Sequence, residues 1–268
     1  MGVKFADALR ATAYVARHKQ WLRKLSAHLM KYIYGPVKSR RLGVSLGLSL
    51  TPYKICSFNC VYCQLGRTAA QTRQRKGYVP IEDILSELKS WFQNNPEDAK
   101  GLNYITFSGS GEPTLNLKID TLISEIKKIT ALPLAVITNS SLLNDSSLRR
   151  ELQDVDLIIP SLDAVTPEVF QKIDRPCPDI KIEEIIDGLI NLRKEFRGKI
   201  WLEAILVRGI NDDLRQIKKM KGIIYKINPD KIQLNSPVRA PLEADISAVD
   251  KNKLEKIKEI LGEKCEIL

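Results

Sequence analysis

Residues 56–63 constrain the chain more than any other stretch, because CSFNCVYC places three of its five cysteines on one short loop. Cys56, Cys60 and Cys63 follow a CxxxCxxC spacing, and the two remaining cysteines lie far away in sequence. One disulfide would leave one of the three thiols over, and a structural zinc site takes four ligands. Both histidines precede the loop by many residues. Three thiolates on one loop suit an iron–sulfur cluster with one iron open to a non-protein ligand.

This spacing, with Tyr62 directly before the third cysteine, resembles the radical S-adenosylmethionine (SAM) superfamily. The resemblance implies that Cys56, Cys60 and Cys63 hold a [4Fe–4S] cluster, that SAM chelates the fourth iron, and that Tyr62 belongs to the cofactor site. It also implies that one electron from the cluster cleaves SAM to methionine and a 5′-deoxyadenosyl radical.

Composition is that of an ordinary globular domain. The 268 residues, 44% of them hydrophobic, suit one α/β domain or one domain with an extension. No apolar run approaches the length of a membrane span, no signal-peptide pattern is present, and the cysteines do not form a secretory disulfide framework. The sequence therefore predicts a soluble, cytoplasmic protein that does not reside in a membrane.

The net charge of +10 is concentrated at the N-terminus, where residues 1–42 hold ten Lys or Arg and a single acid. Residues 5–30 show helical apolar spacing with basic residues between. Such a helix can bind RNA, an anionic membrane or an acidic partner, resembles a mitochondrial transit peptide, or simply packs outside the domain. We therefore divide the chain into a basic helical extension, 1–40, and a core domain, 41–268. A second basic cluster contains Arg67, Arg73, Arg75 and Lys76.

Apolar strand-like segments alternate with helical segments six times, which indicates a parallel sheet with helices outside. The predicted strands cover residues 44–50, 104–108, 134–138, 155–161, 200–207 and 231–235, and a short final strand is expected in 264–268. A polar sequence follows each predicted strand. In barrels built from alternating strands and helices, the catalytic residues lie at these carboxyl ends of the strands. Together with the resemblance, this predicts an α/β fold, a partial (β/α)6 radical SAM barrel with an N-terminal helical extension. The polar stretch 64–77 is predicted to be a loop.

Gly109-Ser110-Gly111-Glu112 follows the second predicted strand and lacks the Gly-Lys-Ser/Thr ending of a P-loop. Glycines let a ligand approach the backbone, and Glu112 offers a carboxylate to a cation; the alternative is a simple tight turn. The stretch resembles the superfamily's GGE motif, with Ser110 in place of a second glycine. The resemblance implies that these four residues bind the amino group of SAM.

Ser161 and Asp163 follow the fourth predicted strand and alternate onto the same side of it. Two such oxygens suit hydrogen bonds to a sugar; the alternative is that Asp163 only caps the next turn. The region resembles the molybdenum-cofactor GTP cyclase branch, where it lies near the ribose of SAM. The same resemblance implies four weaker pocket candidates: Asn139, Gly209, Ile210 and Asn235.

Three further residues stand out. Glu203 interrupts an apolar strand and is costly to bury without a partner, so we expect an arginine partner or, alternatively, a substrate contact. Arg239 is either an anion clamp or a surface residue. Cys177, between two prolines, is expected to be inert, and with only Cys265 besides it a second Cys-bound cluster is not expected.

The segment GPVKSRRLGVSLG before the cysteines resembles a short radical SAM group usually placed near the wyosine-tRNA synthetases. The main hypothesis is therefore a radical SAM enzyme, with one [4Fe–4S] cluster and SAM as cofactors. Its substrate is unidentified, and the basic residues favour a tRNA base. A protein substrate, as in glycyl-radical activases, is the alternative. A non-catalytic iron–sulfur electron carrier is the rival from another class. A reductant such as flavodoxin or ferredoxin is implied; the sequence leaves the oligomeric state open.

Overall fold

The computed structural model describes residues 30–237, 243 and 245–268. The helix predicted over residues 5–30 falls almost wholly outside the described residues, and Arg239 also lies outside them.

One sheet of eight strands forms the centre of the domain, and a two-stranded ladder carries the cysteine loop. The strands are β1 (Ile33–Ser39), β2 (Gly43–Leu48), β3 (Ile55–Cys56), β4 (Ala70–Gln71), β5 (Tyr104–Phe107), β6 (Leu134–Thr138), β7 (Leu157–Pro160), β8 (Lys199–Ile205), β9 (Lys231–Asn235) and β10 (Cys265–Ile267). The sheet order is β1-β2-β5-β6-β7-β8-β9-β10. Only the β1–β2 pair is antiparallel, and every other neighbour in the sheet is parallel.

Helices follow the parallel strands and cover the outer face of the sheet. They are α1 (Ile81–Asn94), α2 (Pro96–Lys100), α3 (Ile119–Ile129), α4 (Ser146–Glu151), α5 (Pro167–Ile173), α6 (Ile182–Glu195), α7 (Leu214–Ile227) and α8 (Lys251–Leu261). In α1 the buried residues Ile81, Ile84, Leu88 and Trp91 recur at intervals of three and four, which gives one apolar face. Helix α7 begins where the Asp213 carboxylate accepts a hydrogen bond from the Arg215 amide.

The two faces of the sheet differ in character because successive side chains alternate between them. The outer face joins the helices in one large apolar core. The inner face has a small apolar cluster in which Leu42, Ala135, Leu157 and Ile159 pack together. Beyond this cluster the inner face is polar and includes Glu203, which is 3% exposed. A buried polar inner face is typical of a barrel that holds ligands.

The turn between β1 and β2 links the two edges of the open sheet. Arg40 donates to the carbonyl oxygen of Leu268, after β10, at 2.9 Å, and to Oδ1 of Asn235 at 3.2 Å. Arg41 forms an ion pair of 2.8 Å with Glu203 on β8. The expected arginine partner of Glu203 is therefore confirmed. The sheet is thus a partial barrel whose edges are joined by side chains.

The parallel strands predicted from the sequence are confirmed, as is the short final strand, which is β10. Strand β1 was not predicted; it lies within residues 1–40, assigned to the extension, yet pairs with β2 along its length. The stretch 64–77, predicted as a loop, includes strand β4. Among the described residues, no helix is long and apolar enough to cross a membrane.

Candidate functional site

The cysteine loop is held in place by backbone hydrogen bonds on two sides. On one side, Ile55 and Cys56 pair in parallel with β4. On the other, the loop lies along the segment after α5: the Val61 amide donates to the carbonyl oxygen of Ile173 at 2.9 Å, and the Cys177 amide donates to that of Ser57 at 3.0 Å. These contacts fix the backbone that carries the three thiols.

Cys56, Cys60 and Cys63 are free thiols of intermediate exposure. Burial raises the pKa of Cys56 to about 12 and raises the pKa of Cys60 well above its ordinary value; nearby anions, including the neighbouring thiols of the loop, add to both shifts. A metal must therefore displace protons to bind these sulfurs.

The donor set suits a four-iron cluster. Nowhere in the described part of the chain do three His, Cys, Asp or Glu side chains converge on one metal-ion position. A cluster does not require such convergence, because each thiolate binds a different iron. Three free, neighbouring thiols on a rigid loop match that requirement, and the fourth iron would then be open to SAM.

The turn of residues 109–112 packs directly against the segment that leads into the cysteine loop. The Lys54 amide donates to the carbonyl oxygen of Ser110 at 2.6 Å, and the Glu112 amide donates to that of Ile55 at 3.1 Å. A Cβ at Gly111 would lie 2.0 Å from the Ile55 carbonyl oxygen. Glycine is therefore required at position 111 by this close approach. Gly109, with a φ of +101°, occupies a conformation that side chains disfavour.

Glu112 is 2% exposed and is surrounded by hydrogen-bond donors. Its Oε1 accepts from the Thr114 amide and from the hydroxyls of Thr114 and Thr138, at 3.1, 2.6 and 2.7 Å. Its Oε2 accepts from the Asn139 amide at 2.8 Å. Burial raises the pKa of Glu112, and these hydrogen bonds oppose the shift. Only Oε2 keeps an acceptor position for a further donor.

Asn139 connects the turn of residues 109–112 with the cysteines. Its backbone amide binds Glu112, while its side-chain Nδ2 donates to Oγ of Ser57 at 2.8 Å and lies 3.5 Å from Sγ of Cys56. Its Oδ1 accepts from the Ser141 amide at 3.1 Å. Three sequence-predicted residues, Cys56, Glu112 and Asn139, therefore form one hydrogen-bonded chain.

A small cavity lies behind the cysteine loop, and Tyr62, Asn139, Ser161, Asp163 and Asp174 are among its lining residues. Four of these five were predicted as site residues from the sequence.

Both carboxylate oxygens of Asp163 already have donors in the protein. Oδ1 accepts from the Ile205 amide at 2.7 Å, and Oδ2 accepts from the Tyr62 hydroxyl. Asp174 lies beside this pair, and its Oδ1 is 3.5 Å from Sγ of Cys60. Burial raises the pKa of Asp163 to about 7, and burial together with Asp163 raises that of Asp174 well above its ordinary value.

Asn235 lies on the opposite flank of the inner face and reaches the site through Glu203. Its Nδ2 donates to Oε1 of Glu203 at 3.2 Å. Glu203 pairs in register with Ser161 through a parallel bridge. The inner face therefore runs continuously from Asn235 to Ser161.

Of the weaker candidates, Gly209 and Ile210 lie apart from the cysteine loop, in the turn after β8. The Gly209 amide donates to Oδ1 of Asp212 at 2.9 Å, and Gly209 has a φ of +74°. The turn is joined to the pocket by the next residue, because Nδ2 of Asn211 donates to the carbonyl oxygen of Asp163 at 2.8 Å. No described contact joins Gly209 or Ile210 to the cysteines.

Two charged residues of the site, Lys54 and Asp174, were not predicted from the sequence. Lys54 is 2% exposed, and its Nζ lies 3.0 Å from Sγ of Cys63. Asp174, 4% exposed, contacts Cys60. The position of Lys54, two residues before the first cysteine, could have indicated that it belongs to the site. Asp174 is distant from the cysteines in sequence, and no sequence pattern indicates its role.

Two of the four residues of the second basic cluster, Arg73 and Arg75, are bound by carboxylates of the protein. Arg75 binds both Glu151 and the carbonyl oxygens of Thr114 and Asn116. Arg73 forms a 2.9 Å ion pair with Asp179.

Comparison with protein families matches residues 50–220 to the radical SAM superfamily. A UPF0026 protein from Methanocaldococcus jannaschii is 34% identical over 241 residues, covering 89% of this chain and 73% of the relative. One from Synechocystis is 37% identical over 216 residues, covering 80% and 78%. A protein named GTPase Obg, from Brachyspira hyodysenteriae, is 41% identical over 237 residues and 88% of this chain, but the match spans only 34% of that longer protein.

Solved structures show the same fold at low identity. A radical SAM methyltransferase from Sphaerobacter thermophilus superposes with a TM-score of 0.67 and 17% identity, over 84% of this chain and 65% of the other. TYW1 with a lysine-pyruvate adduct bound superposes with a TM-score of 0.60 and 19% identity, over 90% and 80%. Members of this superfamily bind a [4Fe–4S] cluster and SAM and require a reductant. The chain belongs to the radical SAM superfamily, alongside its UPF0026 relatives, and is a radical SAM enzyme.

Proposed function

We propose that this enzyme binds one [4Fe–4S] cluster through Cys56, Cys60 and Cys63 and reductively cleaves SAM. The observation that carries the proposal is the placement of three free thiols on a loop fixed between the 109–112 turn and the segment after α5. When bound, the cluster supplies the electron that converts SAM to methionine and a 5′-deoxyadenosyl radical. That radical would abstract hydrogen from the substrate.

In this proposal, different residues around the loop bind different parts of SAM. The remaining acceptor position on Oε2 of Glu112 suits the SAM amino group, with Gly109, Ser110 and Gly111 giving backbone access. Asn139, whose amide binds Glu112, fixes the orientation of that carboxylate.

Ser161 and Asp163 suit the ribose hydroxyls, and both line the cavity behind the loop together with Tyr62. In this assignment Tyr62 positions Asp163 through its hydroxyl. Asn235 joins the pocket from the far flank through Glu203.

A direct test of the cluster measures iron and sulfide content and the EPR spectrum after anaerobic reconstitution and dithionite reduction. Wild-type protein should carry about four irons, as a [4Fe–4S] cluster requires, and its EPR signal should change when SAM is added. Cys56→Ala, Cys60→Ala and Cys63→Ala should each lose the cluster. Cys177→Ala is the matched control, because it is near the loop but contacts it through its backbone amide. Full iron content in all three loop variants would contradict the proposal.

For the substrate, we place a tRNA base ahead of a protein. The support is the basic stretch of residues 1–29, together with Arg67 and Lys76, which are exposed and have no ion pair among the described residues. Arg73 and Arg75 contribute less than the sequence indicates, because carboxylates of the protein already bind them.

The likeness to TYW1 supports the fold alone, since its identity is 19%.

Binding of bulk tRNA, followed as a function of salt, separates the two substrate classes. An RNA substrate predicts affinity that falls steeply with salt and that decreases on deletion of residues 1–29 or in Arg67→Gln/Lys76→Gln. Binding that is absent or insensitive to salt would contradict the RNA assignment and favour the activase-type alternative. A flavodoxin or ferredoxin is the reductant class we propose.

A further inference from the structure

Lys54 has an unusual position for a lysine, because it is buried between the 109–112 turn and the cysteine loop with only 2% of its surface exposed. Its backbone φ is +57°, in the left-handed region that side chains rarely adopt. Its amide donates to the Ser110 carbonyl oxygen at 2.6 Å, and its own carbonyl oxygen accepts from Ala69 and Ala70 at 3.0 and 3.2 Å. The backbone of Lys54 is therefore fixed from both sides.

The Lys54 side chain ends at a thiol and not at a carboxylate. Nζ lies 3.0 Å from Sγ of Cys63, and within the described parts of the chain it has no ion pair with an acidic side chain. Lysine is almost never fully buried unless it is paired, because an unpaired charge is expensive to remove from water. The nearby carboxylate of Glu112 is bound by neutral donors from Thr114, Thr138 and Asn139. The buried Lys54 cation therefore requires an anionic partner, and the sulfur of Cys63 is the atom in position to be that anion.

We propose that Lys54 is the counter-ion of the cluster-binding loop and raises the reduction potential of the cluster through a charge-assisted hydrogen bond to the Cys63 thiolate. This inference rests on the proposed function, since it requires the cluster. Three thiolates around a four-iron core leave the assembly anionic, and reduction by one electron adds a further negative charge. A cation on one ligand sulfur favours the reduced form more than the oxidised form, and hydrogen bonds to the sulfurs are among the factors that set such potentials. Lys54 acts through Cys63 and is a positioning residue.

The test is an EPR-monitored redox titration of the reconstituted full-length protein, without SAM, for wild type, Lys54→Met, Lys54→Arg and Lys89→Met. Lys54→Met keeps the length and apolar stem of the side chain but removes the charge. Lys89→Met is the control for net charge, because Lys89 is exposed on α1. Iron content is measured on every sample first.

Lys54→Met should have a more negative midpoint potential, so that at a fixed solution potential in the wild-type transition the ratio of reduced to oxidised cluster falls at least about tenfold. Lys54→Arg should lie close to wild type, and Lys89→Met should equal it. If Lys54→Met fails to load iron, loading in Lys54→Arg supports the charge requirement, and failure of both variants overturns it in favour of a packing role.

A wild-type potential in Lys54→Met would overturn the Lys54 inference while leaving the proposed function intact. A wild-type protein that holds no cluster would overturn both. The readouts therefore separate the two failures.

Discussion

Arg41, in the turn between β1 and β2, forms a 2.8 Å ion pair with Glu203 on β8, although β2 and β8 are separated by three strands of the sheet. Glu203 is bound on its other oxygen by Asn235, at 3.2 Å. Its side chain is 4% exposed and that of Arg41 is 22% exposed. The open barrel is therefore closed at this level by a largely buried ion pair.

The burial of this ion pair predicts that the contributions of Arg41 and Glu203 to the free energy of unfolding are strongly coupled. Arg41→Met leaves the Glu203 carboxylate buried without its cation, and should lower the free energy of unfolding by about 2–3 kcal/mol. The double variant Arg41→Met/Glu203→Gln should be more stable than the sum of the single effects predicts, with a coupling of at least about 1 kcal/mol in urea unfolding. The same cycle on the exposed pair Glu97–Lys100 should give a coupling below about 0.5 kcal/mol. Additive single effects at Arg41 and Glu203 would contradict the closure.

The close packing around Gly111 predicts that a side chain added at this position will disturb the site. A Cβ at this position would lie 2.0 Å from the Ile55 carbonyl oxygen and 2.7 Å from Oγ1 of Thr51, so the turn and the cysteine loop must move apart. Gly111→Ala should destabilise the protein by roughly 1–3 kcal/mol and weaken SAM binding, measured by thermal unfolding and calorimetry. Gly222→Ala, on α7 with no atom near the added Cβ, should be neutral or stabilising by about 0.5–1 kcal/mol. Equal behaviour of the two variants would rule out the close packing.

The raised pKa of Asp163 predicts how the free energy of unfolding of the cluster-free protein depends on pH. Burial raises its pKa from an ordinary 3.8 to about 7, so between these values the folded state keeps a proton that the unfolded state has lost. Since the folded state then binds more protons, the free energy of unfolding falls as pH rises through this window, by at most about 4 kcal/mol.

Chemical denaturation at several pH values checks this slope. Asp163→Asn should flatten the fall, while the exposed Asp187→Asn should retain it. A slope unchanged by Asp163→Asn would show that other groups cause the fall.

Much of this fold follows from local patterns in the sequence. The apolar runs of β6 and β9 depend on neighbouring residues, and both strands were predicted at their observed positions. Strand β1 escaped prediction because most of its residues are exposed and Gly35-Pro36 interrupts it. Without a buried alternating face, such an edge strand leaves no periodic signal.

The composition of the site was partly predictable, but its connections were not. The cysteine spacing and the GSGE sequence could be found by inspection, since each is contiguous. The contact between Glu112 and Asn139 depends on the pairing of strands, and that between Cys60 and Asp174 depends on where α5 ends. Lys54, which contacts Cys63, has a positive φ that its residue type does not predict. These are tertiary properties that residue spacing does not encode.

Formation of 5′-deoxyadenosine is the direct product-level test of reductive SAM cleavage by this protein. The anaerobically reconstituted protein is reduced with dithionite and supplied with SAM, and the product is followed by mass spectrometry, with Cys56→Ala and Cys177→Ala in parallel. We expect 5′-deoxyadenosine from wild type and Cys177→Ala and none above background from Cys56→Ala. An intact, reducible four-iron cluster that gives neither product nor an EPR change with SAM would contradict it and identify the protein as an electron carrier.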